Sequence, residues 1–421
     1  MLKKLGFTIL IVLMFALNIF AASGNVTVLG VWTGNEAEAF KKMIAPFEME
    51  NDIKVEFTGT RDLSAILTTR VEAGNPPDVS VLPNPGQMVE FAKNNQLVDL
   101  GTFMDMEVLK SDYSPTWLDL GTYMDKFYGV FISADLKSLV WYSPKAFAAS
   151  GYTVPTTWDE LIALSDKMVA DGKNPWALGM ESGAASGWVG TDWIEDIMLR
   201  TVEPEVYDLW VSHGISWLDD RVRRAFEIFG QIALNEKYVY GGPNAELTIN
   251  FGDSPDALFS DPPKAFMHRQ ATFIKSFILD HFPDLTPGKD FDFFPFPPID
   301  SQFGTPALGA ADMFAMFNDT PEARLFMEYI VSPEAQEIWV AELGKLSANK
   351  RVDSAAYPDD LTRKAAKILS DASTFRFDGS DLMPAAVGAG SFWTGILDYV
   401  SGIPLKNVLM TIETTALDSY R

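Results

Sequence analysis

At 421 residues the chain exceeds what one hydrophobic core usually serves, so two domains are expected. A formal net charge of −24 disfavours nucleic acid and anionic membrane surfaces as partners. The lack of cysteine excludes disulfides, a thiolate nucleophile, cysteine-ligated zinc and a cysteine acceptor for a lipid anchor.

Lys3 and Lys4 precede an apolar stretch from Leu5 to Ala22 that ends in Ala21, Ala22, Ser23 and Gly24. That is the layout of a secretory signal peptide over residues 1–23, with an uncleaved N-terminal anchor as the alternative. With a hydrophobic content of 47%, 11 Trp and 30 Phe, the rest reads as well-filled globular lobes. No Ser/Gly-rich linker separates them, so ordered strands are expected to join the domains, with several crossings.

Val26 to Val31 is a continuous apolar strand run, after which Phe40, Met43, Ile44 and Phe47 recur at helical spacing. Thr33-Gly-Asn-Glu36 reads as a capping box for that helix. Ile53 to Phe57 alternates as a strand. A second helix starts near Asp62, read as its N-cap, carries Leu63, Ile66, Leu67 and Val71, and stops at Gly74. Asn75-Pro-Pro-Asp78 then leads to the strand Val79 to Leu82.

This β-α-β-α-β order implies a parallel sheet with a ligand crevice beyond the carboxyl ends of its strands. Trp32 and Glu36 follow the first strand, Arg61 and Asp62 the second, and Asn84 the third. Carboxylates accept and Arg donates hydrogen bonds to hydroxyls, while an aromatic ring covers an apolar C–H face, so these loops suit a polyol. Their structural alternatives are a helix cap for Asp62, half a capping box for Glu36, a core anchor for Trp32 and an exposed charge for Arg61.

Thr60-Arg-Asp-Leu63, Arg70-Val-Glu-Ala-Gly-Asn-Pro-Pro-Asp78 and Leu82-Pro-Asn-Pro-Gly86 resemble, in their order and spacing, the N-terminal lobe of family 1 solute-binding proteins of bacterial ABC importers. The likeness is greatest to the α-glucoside-binding subgroup. Leu139 to Phe147 with Pro155 to Glu160 resembles the family's entry into the second lobe, and Phe326 to Trp339 its late helix pair. The resemblance implies an α/β fold of two lobes, each a mixed sheet flanked by helices, with a ligand cleft between them. The expected lobes are 24–134 with 298–346, and 135–297 with 347–421.

Gly129 to Asp135 reads as the strand leaving the first lobe and Lys137 to Tyr142 as the strand entering the second, which puts Lys137 at the cleft floor. The Gly-rich run with Gly187-Trp-Val-Gly-Thr-Asp-Trp193 is similar to the region that supplies stacking aromatics in relatives. That likeness assigns Trp188 and Trp193 to stacking and Asp192 to hydrogen bonding, with core packing as the alternative for each indole. Phe291 to Pro298 resembles the return strand, and the loop with Asp312 before Met313 to Phe317 is expected at the cleft. Lys350 lies where relatives reach inward. Asp378, Asp381, Phe392 and Trp393 repeat the carboxylate-plus-aromatic pattern in the closing segment.

The resemblance implies a receptor that binds a small carbohydrate such as maltose, trehalose, sucrose or a glucosyl derivative. It implies periplasmic export, permease subunits as partners, a monomer, and no cofactor, metal or catalysis. Charged derivatives stay open, because Arg61, Lys137 and Lys350 could meet a carboxylate. A secreted glycoside hydrolase or lyase is the first rival, since two cleft carboxylates suffice for one; a polyamine receptor is the second. His213, His268 and His281 are scattered, without the spacing of a metal site or catalytic triad.

Overall fold

The computed structural model describes residues 24–372 and 374–420; the expected signal peptide lies outside them. No helix among the described residues is long and apolar enough to cross a membrane. The chain opens with β1 (Gly24–Gly30), α1 (Gly34–Asn51), β2 (Ile53–Gly59), α2 (Leu63–Glu72), β3 (Val79–Leu82) and α3 (Pro85–Lys93). β1 pairs in parallel with both β2 and β3, and β3 is wholly buried, its Ser80 hydroxyl donating to the Leu29 carbonyl between Val79, Val81 and Leu82.

A hairpin of β4 (Thr122–Tyr123) and β5 (Lys126–Phe127) leads to β6 (Gly129–Phe131), β7 (Ser133–Leu136) and β8 (Leu139–Tyr142). Later strands are β9 (Met267–Arg269), β10 (Asp292–Pro295), β11 (Ala307–Ala310), β12 (Met313–Met316), β13 (Leu346–Ser347) and β14 (Phe375–Phe377). They complete a five-stranded sheet ordered β2-β1-β3-β12-β6 and a three-stranded sheet ordered β10-β8-β9. A four-stranded sheet, β13-β7-β11-β14, also forms.

Two runs of the chain are each divided between sheets. Gly129 to Asp135 breaks at Ile132, so β6 pairs with β12 while β7 pairs with β11 and β13. Gly309 to Phe317 breaks at Ala311-Asp312, so β11 joins the four-stranded sheet and β12 the five-stranded one. The polar Asp312 therefore sits at a junction between sheets. The expected boundaries at 134/135 and 346/347 fall inside β7 and β13, and 297/298 lies between β10 and β11.

Two large cores match a two-lobed fold. One packs Trp32, Phe40, Phe314, Phe326 and Trp339 around the five-stranded sheet. The other packs Trp176, Trp193, Trp210, Phe226 and Phe392 among helices that follow β8. Trp141 belongs to a smaller core beside the four-stranded sheet, and its indole donates to the Gln270 carbonyl.

Both expected helix caps are corrected. Thr33 and Asp62 stand at the N-cap positions of α1 and α2, yet neither side chain makes a capping hydrogen bond. Glu36 turns instead to Arg61, and Asp62 to a backbone N–H of the other lobe. A charged or cross-lobe partner has displaced the local one.

Candidate functional site

The parallel order of β1, β2 and β3 brings the loops after them to one end of the sheet, where they wall a cavity of about 500 Å³. That size lies within the usual range for small-molecule sites, about 300–1,000 Å³. Trp32, Glu36, Arg61, Asp62 and Asn84 all line it. Arg61 donates from its guanidinium to Glu36 Oε2 at 2.7 Å. Trp32 is fully buried 4.3 Å from the Trp339 ring, and its indole donates to Asp312 Oδ2 at 2.7 Å. Its main work is to anchor that carboxylate.

Lys345, at the end of the helix Pro333–Leu343, sits beneath these groups. Its ammonium lies 3.1 Å from Asp135, 3.5 Å from Glu36 and 3.7 Å from Asp312. Burial alone would lower its pKa, but the three carboxylates outweigh burial and raise it, so the ammonium stays charged. Burial raises the Asp312 pKa against the opposing pull of Lys345.

The opposite wall comes from Lys137 and from three segments of the other lobe: the turn around Ser182 to Ala185, the helix Trp188–Leu199, and residues 378–393. Lys137 is buried, donates to Asp192 Oδ1 at 2.7 Å and also bonds Asp378. Its ammonium lies 5.5 Å from the centre of the Trp188 ring, within cation–π range. Burial would lower the Lys137 pKa, yet the surrounding carboxylates raise it well above the usual lysine range. Asp378 is pulled up by burial and more strongly down by Lys137, so it stays ionised. Burial drives Asp381 well up, aided by the charge on Asp378.

Aromatic surface comes from Trp188, Trp393 and Phe273. Gly187 permits the close seating of the first two. Its φ of 107° is left-handed, and a Cβ there would lie 2.3 Å from the Trp393 carbonyl oxygen. The Trp393 indole N–H is buried without a protein acceptor.

The walls also touch each other directly. Asp62 Oδ1 accepts from the Ala184 N–H at 2.8 Å, Asn84 Nδ2 donates to Asp381 Oδ1, and Glu90 Oε1 accepts from the Ala385 N–H at 2.9 Å. Arg61 packs its guanidinium 5.1 Å from the Phe251 ring centre. Such an arrangement can hold a polar ligand between two lobes, with hydrogen bonds from both and indole faces on one side.

The profile of the family described as bacterial extracellular solute-binding protein matches residues 33–337. Two curated relatives are similar along almost their whole length. The osmoprotective compounds-binding protein GgtB of Synechocystis sp. is 47% identical over 390 residues, covering 92% of this chain and 91% of the relative. The alpha-glucosides-binding periplasmic protein AglE of Rhizobium meliloti is 41% identical over 407 residues, covering 94% and 88%. This chain belongs to the bacterial extracellular solute-binding proteins.

Solved structures agree on the fold of this solute-binding protein. A chitin oligosaccharide binding protein superimposes with a TM-score of 0.82 at 18% identity, over 94% of this chain and 98% of that one. The bacterial solute receptor AcbH, described as preferring β-D-galactopyranose, gives 0.81 at 19% identity, over 95% and 100%.

Four expected site residues lie elsewhere. Trp193 is fully buried against Trp176, Phe229 and Phe296. Five residues along one helix turn it about 140° from Trp188, so the two indoles cannot share a face. Asp192 is buried behind Lys137, paired to it and to Arg269, and presents nothing to the cavity. Burial raises its pKa to about 7 against the pull of Lys137. Phe392 packs on Trp210, Trp217 and Phe226, leaving its neighbour Trp393 to the cavity. Lys350 donates to the Tyr113 carbonyl at 2.7 Å, away from the cavity.

The expected set omits Lys345 and Asp135, which both line the cavity. The signal for Asp135 is a lone carboxylate in a strand whose four residues are all buried. Lys345 follows Gly344, whose left-handed φ of 65° ends the helix and turns the chain into β13. Nothing in the surrounding residues marks it as a site.

Proposed function

We propose that this chain is the exported substrate-binding protein of an ABC importer and captures a small sugar, an α-glucoside of one or two residues. Its lobes are 24–134 with 298–346 and 135–297 with 347–421, and the four-stranded sheet between them serves as the hinge. The observation that carries the reading is a cavity walled by hydrogen-bonding groups of both lobes and by the indoles Trp188 and Trp393. A ligand that touches both lobes has more contacts when they are closed, and that difference is what drives closure. The similarity to an alpha-glucosides-binding protein and an osmoprotective compounds-binding protein supports a sugar or related polyol.

The protein acts as a monomeric receptor that delivers its ligand to membrane permease subunits and does no chemistry on it. A thermal-shift panel tests this: maltose, trehalose or sucrose should raise the melting temperature, and putrescine and spermidine should leave it unchanged. Labelled α- and β-glucosides should come back intact after incubation. Hydrolysis in place of stoichiometric binding would refute the receptor reading.

A further inference from the structure

We infer that the cleft selects by charge, accepting neutral polyols and rejecting the same sugars once they carry a carboxylate. This deepens the proposed function and rests on it. Three cations reach the cavity, Arg61, Lys137 and Lys345, and each is already committed to acids of the protein. Arg61 holds Glu36 at 2.7 Å. Lys137 holds Asp192 at 2.7 Å and also Asp378, and Lys345 holds Asp135 at 3.1 Å with Glu36 and Asp312 just beyond.

The acids outnumber these cations. Besides Glu36, Asp135, Asp312 and Asp378, the lining includes Asp62 and Asp381, and neither of these forms an ion pair among the described residues. Asp62 accepts from a backbone N–H and Asp381 from the Asn84 amide. A ligand carboxylate would therefore have to break an existing pair, exposing a buried protein carboxylate, or enter beside the Asp62 carboxylate, which has no cationic partner among the described residues. Both routes cost free energy where the protein's own ion pairs are buried. A hydroxyl has neither difficulty: it donates to a carboxylate oxygen and accepts from an ammonium or guanidinium without unpairing them. The lysines thus contribute to specificity while remaining bound to protein acids.

The test uses whichever of maltose, trehalose or sucrose binds, together with the C6 uronate made from that same sugar, titrated calorimetrically at pH 7.5. The uronate is expected to bind at least tenfold more weakly than its parent. Glu36→Gln, which frees Arg61, should narrow that gap at least threefold. Equal binding of sugar and uronate, or any gap under tenfold in the native protein, overturns the inference while leaving the receptor reading intact. If none of the three parent sugars binds, the proposed function itself fails, and the charge filter with it.

Discussion

Asp62 accepts the backbone N–H of Ala184 at 2.8 Å, a contact that joins the loop after β2 to a turn in the opposite lobe, 122 residues away in sequence. Asp62 is exposed, so changing it should leave the core intact. A hydrogen bond to a charged group contributes about 1.5–3 kcal/mol, so Asp62→Ala should weaken sugar binding by roughly ten- to a hundredfold. Asp62→Asn keeps an oxygen that can accept from Ala184 and should lose much less. Isothermal titration separates the two, and equal losses would mean that the charge, and not the cross-lobe contact, is what matters.

Trp188 and Trp193 share a helix but should fail in different ways. Trp188→Ala removes an indole face at the cavity and should reduce affinity by at least tenfold with a small change in melting temperature. Trp193→Ala opens a void among Trp176, Phe229 and Phe296 and should destabilise the protein by about 3–5 kcal/mol. Denaturant unfolding alongside calorimetry distinguishes them. A stable Trp193→Ala with lost affinity would return that indole to the binding site.

The strand-helix alternation from Val26 to Leu82 was legible because period and punctuation agree there, and a parallel sheet then sends Glu36, Arg61, Asp62 and Asn84 to one end. The division of Gly129 to Asp135 between two sheets was not legible, because each half satisfies the same local pattern and only distant β11, β12 and β13 decide the pairing. Within the helix Trp188–Leu199 nearly every residue is buried, so composition could not say which indole faces the cavity. Lys350 and Lys345 are five residues apart in a stretch with no periodic signal. Tertiary contacts with Tyr113 and with Asp135 set them apart.

Lys345 compensates three carboxylates, of which Glu36 and Asp135 are buried, so its loss should be costly even without ligand. Lys345→Met keeps much of the volume but leaves Asp135 and Asp312 without their cation. Breaking a buried ion pair by removing one partner typically costs about 3–5 kcal/mol. Urea unfolding should register a loss of that order, and a second change, Asp135→Asn, should restore part of it. Additive losses in the double variant would show that the two groups do not interact.

Stability should also depend on pH through the acids around Lys137. Burial raises Asp192 to about 7 and drives Glu195 and Asp381 well up, so the folded state binds more protons than the unfolded chain above the ordinary carboxylate range. For Asp192 the resulting stabilisation is complete below its unfolded pKa and is lost as pH rises through about 7. Asp378 works the other way: Lys137 holds its pKa down despite burial, so its contribution disappears as the solution is acidified through the folded pKa. His268, lowered to about 4 by burial, opposes the Asp192 trend, because the unfolded chain takes up a proton near 6.5 that the folded state refuses. Asp192→Asn isolates the first effect. Relative to the native protein, its melting temperature should fall less, or rise, between pH 5 and pH 8. Parallel pH profiles for the two proteins would remove Asp192 from the proton linkage.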